Sequence, residues 1–123
     1  MKKILIVDDE SHLVWIVEKR LRAHGYETVT AFSGPEGFEK ARQAKPALIL
    51  LDLMMPGTNG YVALQQLQGH AETRPIPVII FSAKGRMQDV QQAIKMGAID
   101  FIIKPFEPES FLEKIRLAIG IAD

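Results

Sequence analysis

Apolar residues in this chain fall into two patterns. Lys3–Val7, Ala47–Leu51, Val78–Phe81 and Ile99–Ile103 are short, almost continuous apolar runs rich in branched side chains. Runs of this length, without alternation, predict strands buried on both faces. Glu27–Ala31 (Glu-Thr-Val-Thr-Ala) is a weaker strand pattern and predicts a place nearer an edge. Between these runs apolar residues recur at helical spacing. Leu13, Ile16, Val17 and Leu21 share one face of a helix that continues to about His24, with Gly25 as its stop. Leu64 and Leu67 face inward from a helix over Gly60 to about His70. Phe111, Leu112, Ile115, Ala118 and Ile119 form the core face of a last helix that starts at Pro108.

Punctuation supplies the remaining boundaries. Ser33-Gly34-Pro35-Glu36 is a capping box with proline in the first turn, opening a helix to about Ala44 before Pro46 breaks it. Met54–Asn59 reads as a loop, and Pro75 and Pro77 bracket a turn. Arg86–Met96 reads as a helix closed by Gly97. Strand and helix alternate five times. That order predicts an α/β fold, a doubly wound (βα)5 sandwich whose parallel sheet is covered on both faces.

Composition narrows the picture. A chain of 123 residues that is 47% hydrophobic is one domain, residues 1–123, with a real core. Fifteen basic and fifteen acidic residues leave no net charge, which argues against broad binding to nucleic acid or anionic membrane. With no cysteine there is no disulfide framework and no thiolate metal site. The apolar run after Lys3 stops after four residues at Asp8-Asp9-Glu10, too short for a signal peptide. No stretch approaches the roughly 20 apolar residues of a membrane span. The expectation is a soluble cytoplasmic protein.

Open parallel sheets bind ligands outside the carboxyl ends of their strands. There the first strand ends in Asp8-Asp9, the third in Asp52, the fourth in Ser82 and the fifth in Lys104. Taken singly, each has a bland reading: a turn or cap for the acids, an N-cap for Ser82, a solvated charge for Lys104. Together they do not. Two like charges about 4 Å apart repel by about 4 kcal/mol at an effective dielectric near 20. Three carboxylates at one rim therefore call for a cation or a shifted pKa, and one lysine compensates only in part. All-oxygen ligands favour Mg²⁺, or Mn²⁺, over zinc. A carboxylate beside Mg²⁺ is a candidate nucleophile toward phosphorus, with Lys104, the Ser82 hydroxyl and backbone N–H groups neutralising the phosphoryl oxygens. Asp52, where a buried apolar strand breaks, is the residue expected to carry the chemistry.

At this point the chain resembles the receiver domain of two-component response regulators. The matching pieces are Asp8-Asp9, Asp52 in Asp-Leu-Met-Met-Pro-Gly-Thr-Asn-Gly, Ser82-Ala83, Gly97-Ala98 and Lys104-Pro105-Phe106. The resemblance implies a flavodoxin-like sheet of order 2-1-3-4-5. It implies that Asp52 is phosphorylated by a histidine kinase or phosphotransfer protein, or by a small donor such as acetyl phosphate. Asp8, Asp9, Asp52 and the Met54 backbone carbonyl would hold Mg²⁺, and Lys104 would contact the phosphoryl group. Ser82 would be the switch hydroxyl and Phe101 the switch aromatic, moving inward on phosphorylation. Ser82 stands where threonine is commoner, and Phe101 where tyrosine is commoner; the hydroxyl and the ring survive, a phenol hydrogen bond does not. Met54 and Lys84 would flank the phosphoryl group.

The resemblance also implies partner surfaces. Val90, Ile94 and Ile103 should join Phe101 on an output face bordered by Lys114. Val90, Met96 and Ser110 stand where salt-bridged dimers of DNA-binding relatives carry charges, which weakens the case for that type of dimer; an apolar face better suits a downstream protein target or output domain, with no direct nucleic-acid binding by this domain. The kinase should dock on His12, Leu13, Ile16, Pro105 and Phe106. Trp15 falls off the inward stripe of its helix, and His12, His24 and His70 form no ligand pattern. Monomer and phosphorylation-dependent dimer are both open, as are a stand-alone regulator and a receiver within a longer chain. The alternative is a Mg²⁺-dependent phosphatase with an aspartyl nucleophile. It would want Asp-x-Asp after the first strand, where this chain has Asp8-Asp9-Glu10, and a cap domain.

Overall fold

The computed structural model describes residues 2–55, 58–83 and 87–121. In chain order its elements are β1 (Lys3–Val7), α1 (Ser11–Ala23), β2 (Glu27–Ala31), α2 (Gly34–Ala44), β3 (Leu48–Leu51), β4 (Met54–Met55), β5 (Thr58–Asn59), α3 (Gly60–Gly69), β6 (Val78–Ala83), α4 (Met87–Lys95), β7 (Asp100–Lys104) and α5 (Pro108–Ile119). The main sheet is parallel, in the order β2-β1-β3-β6-β7. Numbering only its own strands, that is the expected 2-1-3-4-5.

The continuous apolar runs are explained by two cores, one on each face. Leu5, Val7, Ile49, Leu51, Val78 and Ile80 point to one face, where Ala41 of α2, Ala63, Leu64 and Leu67 of α3, and Val90 and Ala93 of α4 cover them. Ile4, Ile6, Leu48, Leu50, Ile79, Phe81 and Ile102 point to the other, under Val14, Val17 and Leu21 of α1 and Phe111, Leu112 and Ile115 of α5. Successive side chains of a strand alternate faces, so a strand sandwiched by helices must be apolar throughout.

The local signals act as their chemistry requires. The Ser33 hydroxyl accepts from the Glu36 N–H at 3.2 Å, and the Glu36 carboxylate accepts from the Phe32 N–H at 2.7 Å, one residue earlier than a standard capping box. That bond is the main reason the Glu36 carboxyl lies below its usual range. Gly97, at φ 115°, follows α4 in a conformation that side chains disfavour.

The structure corrects four expectations. Val14, not Leu13 or Ile16, lies with Val17 and Leu21 on the buried stripe of α1; Leu13 and Ile16 are half-buried at its margins. Met54–Asn59 is not only loop: Met54 and Met55 pair antiparallel with Asn59 and Thr58. β6 runs on through Ser82 to Ala83, past the end expected for the Val78–Phe81 run. Val90 is 1% exposed, part of the core under α4, and is no part of a partner surface. The Pro56-Gly57 turn, Lys84 and Arg86 lie outside the described residues.

Candidate functional site

The rim of the sheet is built by backbone register. Val7 and Leu51 are partners in the β1–β3 ladder. One residue on, the Asp52 N–H donates to the Val7 carbonyl at 2.9 Å, and the Asp8 N–H donates to the Ala31 carbonyl at 3.0 Å. Asp8 and Asp52 therefore leave adjacent strands side by side. On the far flank β6 and β7 continue to the Ser82–Ile103 and Ala83–Lys104 pairs, which brings Lys104 level with the acids.

Each carboxylate is oriented locally. Asp8 accepts from the Glu10 N–H at 3.0 Å, and Asp52 accepts from the Met54 N–H at 2.9 Å. Both are two-residue side-chain turns, which aim an aspartate at the strand end. Asp8 is fully buried and Asp52 is 5% exposed, while Asp9 is exposed. Asp8, Asp9 and Asp52 each offer a carboxylate oxygen within 4.8 Å of the others. Three hard oxygen donors at this spacing, open on the Asp9 side, fit a small divalent cation that keeps some of its water.

Lys104 closes the cluster. Its ammonium lies 2.6 Å from Asp8 Oδ2, 3.3 Å from Asp52 Oδ2 and 3.5 Å from Glu10 Oε1. It sits 5.1 Å from the Phe81 ring centroid, on the α1/α5 face of the sheet. Burial acts most strongly on Lys104 and pulls its pKa down, but the Asp8 hydrogen bond and the charges of Asp52 and Asp8 outweigh it, so the net shift is upward. For Asp52, burial pushes the carboxyl above its ordinary value; the Met54 N–H and Lys104 oppose this, and Asp8 adds to it. A buried carboxylate held partly against its ionised state gains from any further cation placed beside it.

Ser82 is 1% exposed, and its hydroxyl makes a contact of 3.5 Å with the Ala83 carbonyl, at the weak limit for a hydrogen bond. Phe101 and Ser82 share one face of the sheet, since Phe101 pairs with Ile80 and Ser82 with Ile103. The Phe101 ring packs against the α2–α4 core. Asp8, Asp9, Asp52 and Lys104 are thus brought together, with Ser82 on the neighbouring strand. Two groups not foreseen also belong here. Glu10 was legible as the next acid in the chain, whereas nothing local marks Phe81 as a neighbour of Lys104.

The surface positions divide. His12 and Pro105 are exposed, Ile94 is 39% exposed, and Ile103 and Phe106 are half-buried. The Phe106 ring leans on Phe81 and Phe111. Phe101, Ile103, Pro105, Phe106, Ser110 and Lys114 help line a cavity of about 210 Å³. Trp15 is 53% exposed, stacked beside His12 and under the Lys19 ammonium. Among the described residues no helix is long and apolar enough to cross a membrane.

Comparison with known proteins agrees with this geometry. Residues 4–116 match the response regulator receiver domain. The chain is 39% identical over 120 residues to the protein PilH of Pseudomonas aeruginosa, covering 98% of this chain and 99% of PilH. It is 38% identical over 122 residues to the probable transcriptional regulator ycf27 of Pyropia yezoensis, covering 99% of this chain and 49% of that protein. It thus spans about half the length of the ycf27 relatives it matches. The receiver domain of the sensor histidine kinase PA1611 from Pseudomonas aeruginosa PAO1 has a magnesium ion coordinated in its active-site cleft; it superposes with a TM-score of 0.87 at 25% identity, covering 97% of this chain and 98% of that one. Nothing among these relatives supports the aspartyl phosphatase alternative. The chain belongs to the receiver domains of response regulators, the phosphorylation-dependent signalling switches of two-component systems.

Proposed function

We propose that Asp52 is the phosphoacceptor and that the switch is worked by this chain's own rim residues. The observation that carries this is the Lys104 ammonium, 2.6 Å from Asp8 and 3.3 Å from Asp52 in a cluster of three acids. Asp8, Asp9, Asp52 and the Met54 backbone carbonyl would hold Mg²⁺. Bound there, the metal supplies charge neutralisation to phosphoryl oxygens. The receiver of PA1611, with its magnesium ion, supports this choice over Mn²⁺.

A carboxylate oxygen of Asp52 attacks the phosphorus of a phosphohistidine or of acetyl phosphate. An oxygen–phosphorus bond forms, and the bond from phosphorus to the imidazole nitrogen, or to the acetyl oxygen, breaks with its electron pair leaving on the donor. Lys104 moves from the carboxylates to a phosphoryl oxygen, whose developing charge its ammonium neutralises. The Ser82 hydroxyl donates to another. Drawing Ser82 toward the phosphoryl group opens space on the sheet face that it shares with Phe101, and the ring takes it up. Water later attacks the phosphorus, the bond from phosphorus to the Asp52 oxygen breaks with its electron pair staying on the carboxylate, and inorganic phosphate leaves. The chemistry is self-directed, so the chain is a switch and not an enzyme acting on other substrates.

The donor is a histidine kinase or phosphotransfer protein, meeting His12, Leu13, Ile16, Pro105 and Phe106. Ile94, Ile103 and Phe101 serve a downstream protein target or output domain. The domain itself contacts neither nucleic acid nor membrane and works in the cytoplasm, as a monomer or a phosphorylation-dependent dimer. Incubation with acetyl phosphate and Mg²⁺ should give an acid-stable, base-labile mass gain of one phosphoryl group. No gain, or a gain that persists in Asp52→Asn, overturns the assignment.

A further inference from the structure

β7 is the last strand of the sheet, so among the described residues one of its edges has no strand partner. Phe101 points to the α2–α4 face, whereas α5 packs on the opposite face through Phe111, Leu112 and Ile115. Lys114 of α5 nevertheless reaches round that open edge. Its ammonium donates to the Phe101 carbonyl and lies 3.2 Å from the Asp100 carboxylate. It also sits 4.2 Å from the centroid of the Phe101 ring. Asp100 in turn accepts from the Phe101 N–H at 2.8 Å. One cation thus holds the backbone and the ring of the same residue, from a helix on the other side of the sheet.

We propose that Lys114 is a latch on the switch: its ammonium, seated on the Phe101 ring, positions that ring in the resting arrangement and is given up when the ring moves inward. This rests on the reading of Phe101 as the switch aromatic. Only contacts that differ between two states bias the equilibrium between them. The bond to the Phe101 carbonyl and the pair with Asp100 involve groups that a ring rotation leaves in place. The ammonium–ring contact does not survive it. A tyrosine here would bring a phenol oxygen to anchor the ring; with phenylalanine the ring offers only its π-face, and Lys114 is the cation on it. Removing that cation therefore favours the inward state, whereas arginine, which also seats on aromatic faces, retains the hold.

The test follows the Phe101 ring by NMR in protein carrying ¹³C-labelled phenylalanine rings, its signal assigned with Phe101→Leu. Beryllofluoride, a phosphoryl mimic, is titrated at fixed Mg²⁺. In Lys114→Gln the ligand-free Phe101 signal should move toward its beryllofluoride-bound position. The titration midpoint should fall about two- to fivefold, the size of one cation–π contact at a partly exposed site. Lys114→Arg should match the wild type in both. An unmoved signal and midpoint in Lys114→Gln overturn the latch, as does Lys114→Arg behaving like Lys114→Gln. A wild-type Phe101 signal indifferent to beryllofluoride that does bind removes the switch role of Phe101 and the latch with it. Absence of beryllofluoride binding to the wild type is instead the failure of the Asp52 site.

Discussion

Lys104 binds Asp8 more closely than it binds Asp52, 2.6 Å against 3.3 Å, although Asp52 is the proposed phosphoacceptor. The side chain of Asp8 is 1% exposed and that of Lys104 13%. Removing one partner of such a pair leaves a buried charge without compensation, which costs about 3 kcal/mol or more. Lys104→Met should therefore lower stability by roughly that amount in metal-free buffer. Saturating Mg²⁺ should recover part of the loss, since a cation bound to Asp8 replaces the missing ammonium. Urea unfolding with and without Mg²⁺ measures both; equal losses in the two buffers would separate Lys104 from the acidic cluster.

Asp52 gives the opposite result in the same assay. Its pKa in the fold is raised by burial above the unfolded value of 3.8, so between those two values the native state holds the extra proton. The fold is then favoured most below the unfolded value and loses stability as pH rises through the folded one. Asn at this position carries no charge and still accepts from the Met54 N–H. Without metal, Asp52→Asn should be more stable than the wild type at neutral pH, with the advantage shrinking toward acid. An advantage that stays constant with pH would contradict burial as its cause.

Val90 and Ile94 share α4 but not its surroundings. Val90 is 1% exposed in the core and Ile94 is 39% exposed. Val90→Ala removes two buried methyl groups, a loss of about 2 kcal/mol. Ile94→Ala should change stability by less than about 0.5 kcal/mol. It should instead weaken binding to an output partner, read by titration calorimetry once that partner is in hand. A stable Val90→Ala would return Val90 to the surface.

Gly60 begins α3 directly under the site. A Cβ there would lie 2.3 Å from the Leu53 Cα, closer than a methyl group tolerates, and the obstacle is backbone. The Gly60 N–H also donates to the Leu53 carbonyl at 3.0 Å. Gly60→Ala should cost about 2 kcal/mol or more by overpacking. It should also slow acetyl phosphate labelling of Asp52, because Leu53 is its immediate neighbour. Wild-type stability by urea unfolding would show that this backbone contact is not required.

Much of the molecule was legible before any coordinates, for identifiable reasons. The strand runs are short and apolar throughout because each strand is covered twice, by α2, α3 and α4 on one side and α1 and α5 on the other. The Ser33 cap and the glycines at 25 and 97 are local signals with local causes. Asp8, Asp52 and Lys104 each follow or end a strand, so a parallel sheet had to bring them to one rim. The misreadings have causes too. On α1, Leu13 and Val14 are both apolar, and periodicity alone does not say which of two adjacent residues faces the sheet. The fourth strand looked complete at Phe81 because polarity begins at Ser82, yet β6 continues because Ile103 and Lys104 extend the partner strand.

The sequence by itself determined the elements, their parallel order of alternation and the acids at the strand ends, because these follow from periodicity and from residues close together along the chain. Only the tertiary structure decided how the charges are shared: Lys104 to Asp8 first, with Phe81 beside it, and Lys114 carried round the edge of β7 onto the Phe101 ring. Those contacts join residues brought together by sheet register and helix packing, and a side chain's partner across such a junction is set by the shape of the fold and not by any pattern within one segment.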